Sequence, residues 1–204
     1  MEDAVAGFAS SLAPGARLLD AGAGEGKYRH LFSHARYTGV DLAVGDRAWD
    51  YTRIDVLCDL AALPFVAGCF DAAINIVTLE HVRDPVGVLK ELGRALRPGG
   101  RLLLAAPQDW EVHQAPNDYF RYTRYGVRHL LEEAGFAEIA VQPGGGYFRL
   151  MGRRMLNGIQ FFRGLWRIPA ALVLGPAGLL FPLFDGLDRE RNFTLGYLCT
   201  ATKR

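Results

Sequence analysis

Between residues 18 and 28 the chain reads LLDAGAGEGKY, with glycines at 22, 24 and 26 and a carboxylate, Asp20, just ahead of them. Glycines so spaced after an apolar run leave main-chain N–H groups open and let a ligand approach the backbone closely. That is chemistry for holding a nucleotide-like group. The dinucleotide fingerprint, however, is G-x-G-x-x-G, and Lys27 stands where its third glycine would be needed. A nicotinamide-dependent oxidoreductase is therefore a disfavoured reading. A second concentration of reactive side chains lies in PQDWEVHQAPNDYFRYT, residues 107–123, where His113, Asp118, Tyr119, Arg121 and Tyr122 crowd beside Trp110 and Phe120. An imidazole titrates at about 6.5 in water, which makes His113 the first candidate for a general base. Asp118, Tyr119 and His81, the last in LEHVRDP, complete the catalytic candidates. Arg121 either binds an anionic acceptor or pairs with Asp118, and its position alone favours neither.

These groups need a scaffold to bring them together. Short apolar runs alternate with helical patterns through residue 140, as in a parallel sheet covered by helices on both faces. Strands are predicted at 17–20, 37–41, 53–56, 70–76, 101–106 and 137–141, and 193–202 has the composition of a last strand. Asp84 caps a helix whose first residue is Pro85; Val88, Leu89, Leu92 and Leu96 repeat along it until Arg97-Pro98-Gly99-Gly100 stops it. Thr123 opens a second helix, with Val127, Leu130, Leu131 and Ala134 on one face and Gly135 at its end. A further helix is expected to start at the glycine run.

Asp20 to Gly26 spells D-x-G-x-G-x-G, which resembles motif I of the class I S-adenosylmethionine-dependent methyltransferases, of the type 11, UbiE-like kind. Three further stretches fall in that family's order: YTGVD at 37–41, CDLAALPF at 58–65 and FDAAINIVTLEHVRDP at 70–85. The resemblance covers residues 15–106. It implies an α/β, Rossmann-like, doubly wound seven-stranded sheet, mostly parallel with an antiparallel last strand and helices on both faces. It also implies S-adenosyl-L-methionine as cofactor. By the same resemblance, Asp41 accepts from the ribose hydroxyls with Leu42 beside it, Asp59 meets the adenine amino group and the Leu60 backbone a ring nitrogen. Asp20 would order the glycine turn and, through water, the methionine ammonium. Gly22, Ala23, Gly24 and Gly26 would pass their backbone against the cofactor, and Ile76 or Val77 would offer a carbonyl to its amino-acid end. The implied reaction is in-line methyl transfer that needs no metal, most plausibly to oxygen, with a base required only for a protonated acceptor. Residues 116–136 also resemble methyltransferases of bacterial cell-surface glycan and natural-product pathways, so the acceptor is expected to be small or lipid- or glycan-linked. A methyltransferase-like binding protein without turnover is the alternative.

The 204 residues suit a single domain, and half of them are hydrophobic. With 23 Lys plus Arg against 22 Asp plus Glu, the chain has no global basic field, so nucleic acid is not an expected partner. Three cysteines without CxxC spacing, expected to be buried thiols, and an N-terminus without a long apolar core point to a cytoplasmic protein. Residues 147–191 break the rhythm. Arg149, Arg153, Arg154, Arg163 and Arg167 precede or open an apolar run, 168–184, interrupted by Pro169, Pro176 and Pro182. This insertion reads as a hydrophobic lid over the acceptor pocket, a dimer interface, or a peripheral contact with the inner face of a membrane. One straight membrane-spanning helix is not expected through three prolines.

Overall fold

A computed structural model describes residues 1–46 and 48–204. Seven strands, β1 (Arg17–Ala21), β2 (Arg36–Asp41), β3 (Val56–Leu57), β4 (Phe70–Ile76), β5 (Leu96–Pro107), β6 (Phe136–Pro143) and β7 (Gly196–Lys203), form one sheet in the order β3-β2-β1-β4-β5-β7-β6. All neighbouring pairs are parallel except β5–β7 and β6–β7. The helices are α1 (Glu2–Ser10), α2 (Pro85–Ala95), α3 (Arg124–Glu133), α4 (Tyr147–Gly158) and α5 (Arg167–Leu180). This is the seven-stranded, doubly wound α/β arrangement expected.

Side chains on a strand alternate between faces, and the core divides accordingly. Leu19, Ala73, Leu102 and Leu104 join Val88, Leu89 and Leu92 of α2 and Val127 and Leu131 of α3 in one cluster. Leu18, Ala72, Ile74 and Leu103 face the other way, onto Val5 and Phe8 of α1 and onto Phe32. The predicted caps are present: Gly87 N donates to Asp84 Oδ1 at 2.9 Å, and Gly126 N to Thr123 Oγ1 at 3.0 Å.

The structure departs from the expectations in several places. No α-helix opens at the glycine run, because Gly22, Gly24 and Gly26 all have positive φ (83°, 54° and 69°), which a right-handed helix excludes. Turns lead instead to a short 3-10 turn at Arg29–Phe32. The strand expected at 53–56 is displaced to Val56–Leu57, since Asp50 accepts from Thr52 N and winds Tyr51–Arg53 into a 3-10 turn. The last strand begins at Gly196 because the Leu195 carbonyl is taken by the amides of Gln108 and Asp109. Leu96 belongs to β5: it pairs with Phe70 before a bulge shifts the register to Ala72 with Arg101. Cys199 is buried as expected, whereas Cys58 and Cys69 are half-buried at the sheet's margins. The acidic start, Glu2–Ser10, folds as a helix that buries Val5, Phe8 and Ala9.

Residues 147–191 form a helical hairpin between β6 and β7. Pro169 lies in the first turn of α5 and Pro182 in the first turn of the 3-10 helix Phe181–Leu187, positions whose N–H has no intrahelical partner, so only Pro176 interrupts the ladder. The result is one helical stretch, Gly164–Leu187, long and apolar enough by length and composition to cross a membrane, with 17% of its most apolar window buried. The two arms meet closely: a Cβ on Gly152 would lie 2.6 Å from the Gly178 carbonyl oxygen. Asp185 returns to the start of α4, accepting from Gly146 N at 3.0 Å and Arg149 N at 2.9 Å.

Candidate active site

Strand order reverses between β1 and β4, and the carboxyl ends of strands at such a switch point open onto a crevice where ligands bind in doubly wound sheets. Here that crevice is a cleft of about 410 Å³. One wall is the turn after β1. Gly22 N and Ala23 N donate to the Val40 carbonyl at 2.8 and 3.0 Å, and Gly24 N donates to Asp41 Oδ2 at 2.9 Å. The turn is therefore ordered from β2, not by Asp20 as expected. The Asp20 carboxyl accepts from the Tyr37 hydroxyl. Burial, only partly opposed by that bond, pushes the Asp20 carboxyl up to about 7. Glu25 accepts from Asp50 N at 3.0 Å.

Asp41 ends β2 and also accepts from Ala43 N at 2.8 Å through its other oxygen. Each oxygen so engaged retains one lone pair, and the residue lines the cleft. Asp59 accepts from Ala61 N through Oδ1, at 2.9 Å, beside Leu60 in the same wall. At the end of β4, Ile76 and Val77 line the floor. Val77 holds φ at +55°, a strained setting for a β-branched residue, and the Ile76 carbonyl accepts from Thr78 Oγ1 at 3.2 Å. Trp49 stands over Gly24 from the loop after β2.

The opposite end of the cleft is made by His81, Val82, Trp110, His113 and Gln114. The loop carrying the last three folds back onto the turn after β4: Tyr119 N and Phe120 N donate to the Glu80 carbonyl, at 2.9 and 3.2 Å, and the buried Tyr122 hydroxyl donates to the Leu79 carbonyl at 2.8 Å. This brings His81 and His113 edge to face, their Nε2 atoms 3.1 Å apart. Burial lowers the His81 pKa.

Residues 19–104 match a family model described as a methyltransferase domain. They are a methyltransferase domain. Among curated proteins, a Xenopus tropicalis tRNA (carboxymethyluridine(34)-5-O)-methyltransferase is 33% identical over 112 residues, 52% of this chain and 17% of that protein. A Xanthomonas oryzae ubiquinone biosynthesis O-methyltransferase is 35% identical over 105 residues, 45% of this chain and 43% of that protein. The chain thus spans less than half the length of these relatives. Among solved structures, Haemonchus contortus phosphoethanolamine N-methyltransferase 2 in complex with S-adenosyl-L-methionine superposes with a TM-score of 0.62 at 16% identity, over 100% of this chain and 52% of that one. The fold is that of the S-adenosylmethionine-dependent methyltransferases.

The residues of the domain fit that cofactor. The glycine turn leaves bare backbone on one wall, where a Cβ on Gly22 would meet Thr78 Cγ2 at 2.3 Å. Carboxylates with acceptor capacity to spare, Asp41 and Asp59, stand on the second and third strand ends, suited to hydroxyl and amino donors. The cleft volume is in the usual range for small ligands.

Of the candidates named from sequence, the cleft brings together Asp20, Gly22, Ala23, Gly24, Asp41, Leu42, Asp59, Leu60, Ile76, Val77, His81 and His113. Gly26 lies outside its lining, turned toward Arg53. Asp118 does not face the cleft and is reassigned from candidate base to positioning residue. Arg121 clamps both its oxygens, at 2.6 and 2.8 Å, and holds its carboxyl well below the usual range, while Asp118 accepts the His113 amide at 2.9 Å. Arg121 is thereby an internal clamp. Tyr119 is exposed and takes a hydrogen bond from Arg83, so it too leaves the catalytic set. Sequence reasoning missed Trp49, Thr78 and Glu80. Only Glu80 carried a signal, a carboxylate directly before His81.

Proposed function

We propose that this chain transfers the methyl group of S-adenosylmethionine to an oxygen of a small, apolar or lipid-linked acceptor presented at a membrane surface. The observation carrying this reading is a single cleft with a glycine turn and Asp41 at one end and His81, Trp110 and His113 at the other. When bound, the cofactor supplies an activated methyl on its sulfonium sulfur. The chain's own contribution is positioning: Asp41 and Asp59 fix the nucleoside, and Trp110, Val82 and Gln114 shape the acceptor end and exclude water. His113 faces the acceptor there and takes up the proton a hydroxyl must lose.

Two relatives named as O-methyltransferases support oxygen as the target. The hairpin supports a membrane. Leu165, Trp166, Leu172, Leu183 and Leu187 are each more than two-thirds exposed, with Arg163 and Arg167 at one end. Spanning is disfavoured by α4, whose Arg153 and Arg154 pair with Glu111 at 2.9 and 3.0 Å and tie the hairpin to the domain. Trp110 lines the cleft and stacks under the Arg153 guanidinium, 3.2 Å from its centroid, so the hairpin adjoins the acceptor end. Near-neutral net charge gives the tRNA relatives' kind of acceptor no comparable support.

The test is transfer of labelled methyl from S-adenosylmethionine into a lysate extract fractionated into lipid, glycan, small-molecule and RNA pools. Label in the lipid pool and flotation with anionic liposomes, lost in Leu172→Glu/Leu183→Glu, are expected. Label confined to RNA would overturn the acceptor, and cofactor binding without label in any pool would leave an inactive binding protein. Calorimetry with NAD(H) checks the disfavoured oxidoreductase reading.

A further inference from the structure

Glu80 sits in the 3-10 turn Leu79–His81 with no solvent exposure, and neither of its carboxyl oxygens has a hydrogen-bond partner. An unpartnered carboxylate at such depth is costly unless something compensates it. Two imidazoles face it. Glu80 Oε1 lies 3.7 Å from His81 Nε2 and 3.9 Å from His113 Nε2, and the two Nε2 atoms are 3.1 Å apart. The far nitrogen of each ring is fixed by a main-chain carbonyl: His81 Nδ1 by Asn117 O at 2.6 Å, His113 Nδ1 by Glu111 O at 3.1 Å. A carbonyl can only accept, so each Nδ1 carries a proton, and a ring in its neutral form turns an Nε2 lone pair inward. With both rings in that form and Glu80 ionised, three acceptors converge on one point.

We propose that Glu80, His81 and His113 bind a divalent transition-metal ion of the Zn²⁺ class, with a coordination position open to the cleft. Metal–ligand bonds of about 2.1 Å place tetrahedral ligand atoms about 3.4 Å apart, and the three separations fall on both sides of that value. Two imidazoles and one carboxylate with a fourth position free is the donor set of catalytic zinc sites, whereas closed four-ligand sets are structural. The carbonyls on both Nδ1 atoms are the outer partners such ligands require, and Asp118 holds the His113 main chain from behind. The inference rests on the methyl-transfer reading and deepens it, with His113 serving as a ligand in place of the proton-accepting base of the metal-free reading. An acceptor hydroxyl at the open position would give up its proton to solvent nearer neutral pH, and the site would select acceptors with a hydroxyl or thiol able to reach it.

The experiment strips the full chain with EDTA and titrates it with Co²⁺ alone, then displaces Co²⁺ with Zn²⁺. One equivalent with visible d–d absorption is expected. His81→Ala and His113→Ala should abolish the band and weaken binding beyond the roughly 10–100-fold that outer-partner changes cost. Glu80→Gln should weaken binding too. Because Glu80 and His81 are packed inside, His113→Ala on the loop is the decisive variant, with its melting curve as the folding control. Binding by His113→Ala equal to wild type, or no band at all, overturns the site and leaves a proton-sharing histidine pair. Methyl transfer that survives stripping overturns the metal's part in the reaction and leaves the methyltransferase reading standing. Metal bound in wild type but not in His113→Ala, with no methyl transfer to any pool, removes the latter and keeps the site.

Discussion

Cofactor binding should draw a proton from Asp20. This carboxyl is buried at the base of the cleft, where burial pushes it up to about 7, so the ligand-free chain holds it largely protonated below neutrality. A sulfonium and an ammonium placed nearby favour the ionised form. If the bound value returns to the ordinary carboxylate range of about 4, each pH unit below 7 lowers affinity about tenfold, or about 1.4 kcal/mol. Affinity for S-adenosylmethionine should therefore be about tenfold weaker at pH 6 than on the plateau near pH 8. Calorimetry at pH 6 in two buffers of different ionisation enthalpy should find about one proton released, and Asp20→Asn should release none and bind with a flat pH profile. A flat wild-type profile, or an Asp20→Asn profile as steep as wild type, would refute the reasoning. The same shift has a sign for stability. The folded value lies above the unfolded one, so the contribution is full below about pH 4 and lost as the pH rises through about 7. Ligand-free Asp20→Asn should accordingly melt higher than wild type at pH 8.

Three other substitutions probe separate features. Asp41→Ala removes both the proposed ribose acceptor and the partner of the Gly24 and Ala43 amides, and should weaken S-adenosylhomocysteine binding by at least about 1.5–3 kcal/mol in a calorimetric titration. Gly22→Ala forces a Cβ to within 2.3 Å of Thr78 at φ +83°, so equilibrium dialysis should detect almost no retained cofactor. Gly152→Ala drives a Cβ onto the Gly178 carbonyl, and denaturant titration should find a loss of about 1–3 kcal/mol with cofactor affinity retained, since no part of α4 or α5 lines the cleft among the described residues.

The cofactor half of the cleft was legible because its determinants are contiguous. The glycine turn and the acids at 41 and 59 sit at strand ends that apolar runs mark directly. α2 and α3 were legible for a similar reason, with Asp84 and Thr123 as caps and a clear helical period behind them. The absent helix after Gly26 was not, because two of the three positive-φ glycines, Gly22 and Gly24, donate to the Val40 carbonyl and the Asp41 carboxylate, partners on the next strand that are far along the chain. The acceptor wall was legible only as composition. Which of its polar groups converge depends on the loop folding back so that the Glu80 carbonyl receives the Tyr119 and Phe120 amides, and nothing local encodes that. Asp118 shows the cost of reading composition alone: its carboxylate answers to Arg121, three residues on, rather than to the cleft.

The loop 107–123 gives the acceptor wall and the hairpin a common support. Asp109 and Glu111 pair with Arg153 and Arg154 on α4, Trp110 lies between the Arg153 guanidinium and the cleft, and the Glu111 carbonyl holds His113. Each exposed ion pair alone contributes at most about 1 kcal/mol, but together they share one short stretch of backbone that contains the cleft residue Trp110 and is followed by His113. The polar attachments of α4 face the domain, and the exposed leucines of α5 face away from it. A membrane engaging that outer face would leave the guanidinium contacts intact, so the domain can meet an apolar surface without disturbing the histidine wall that the acceptor must reach.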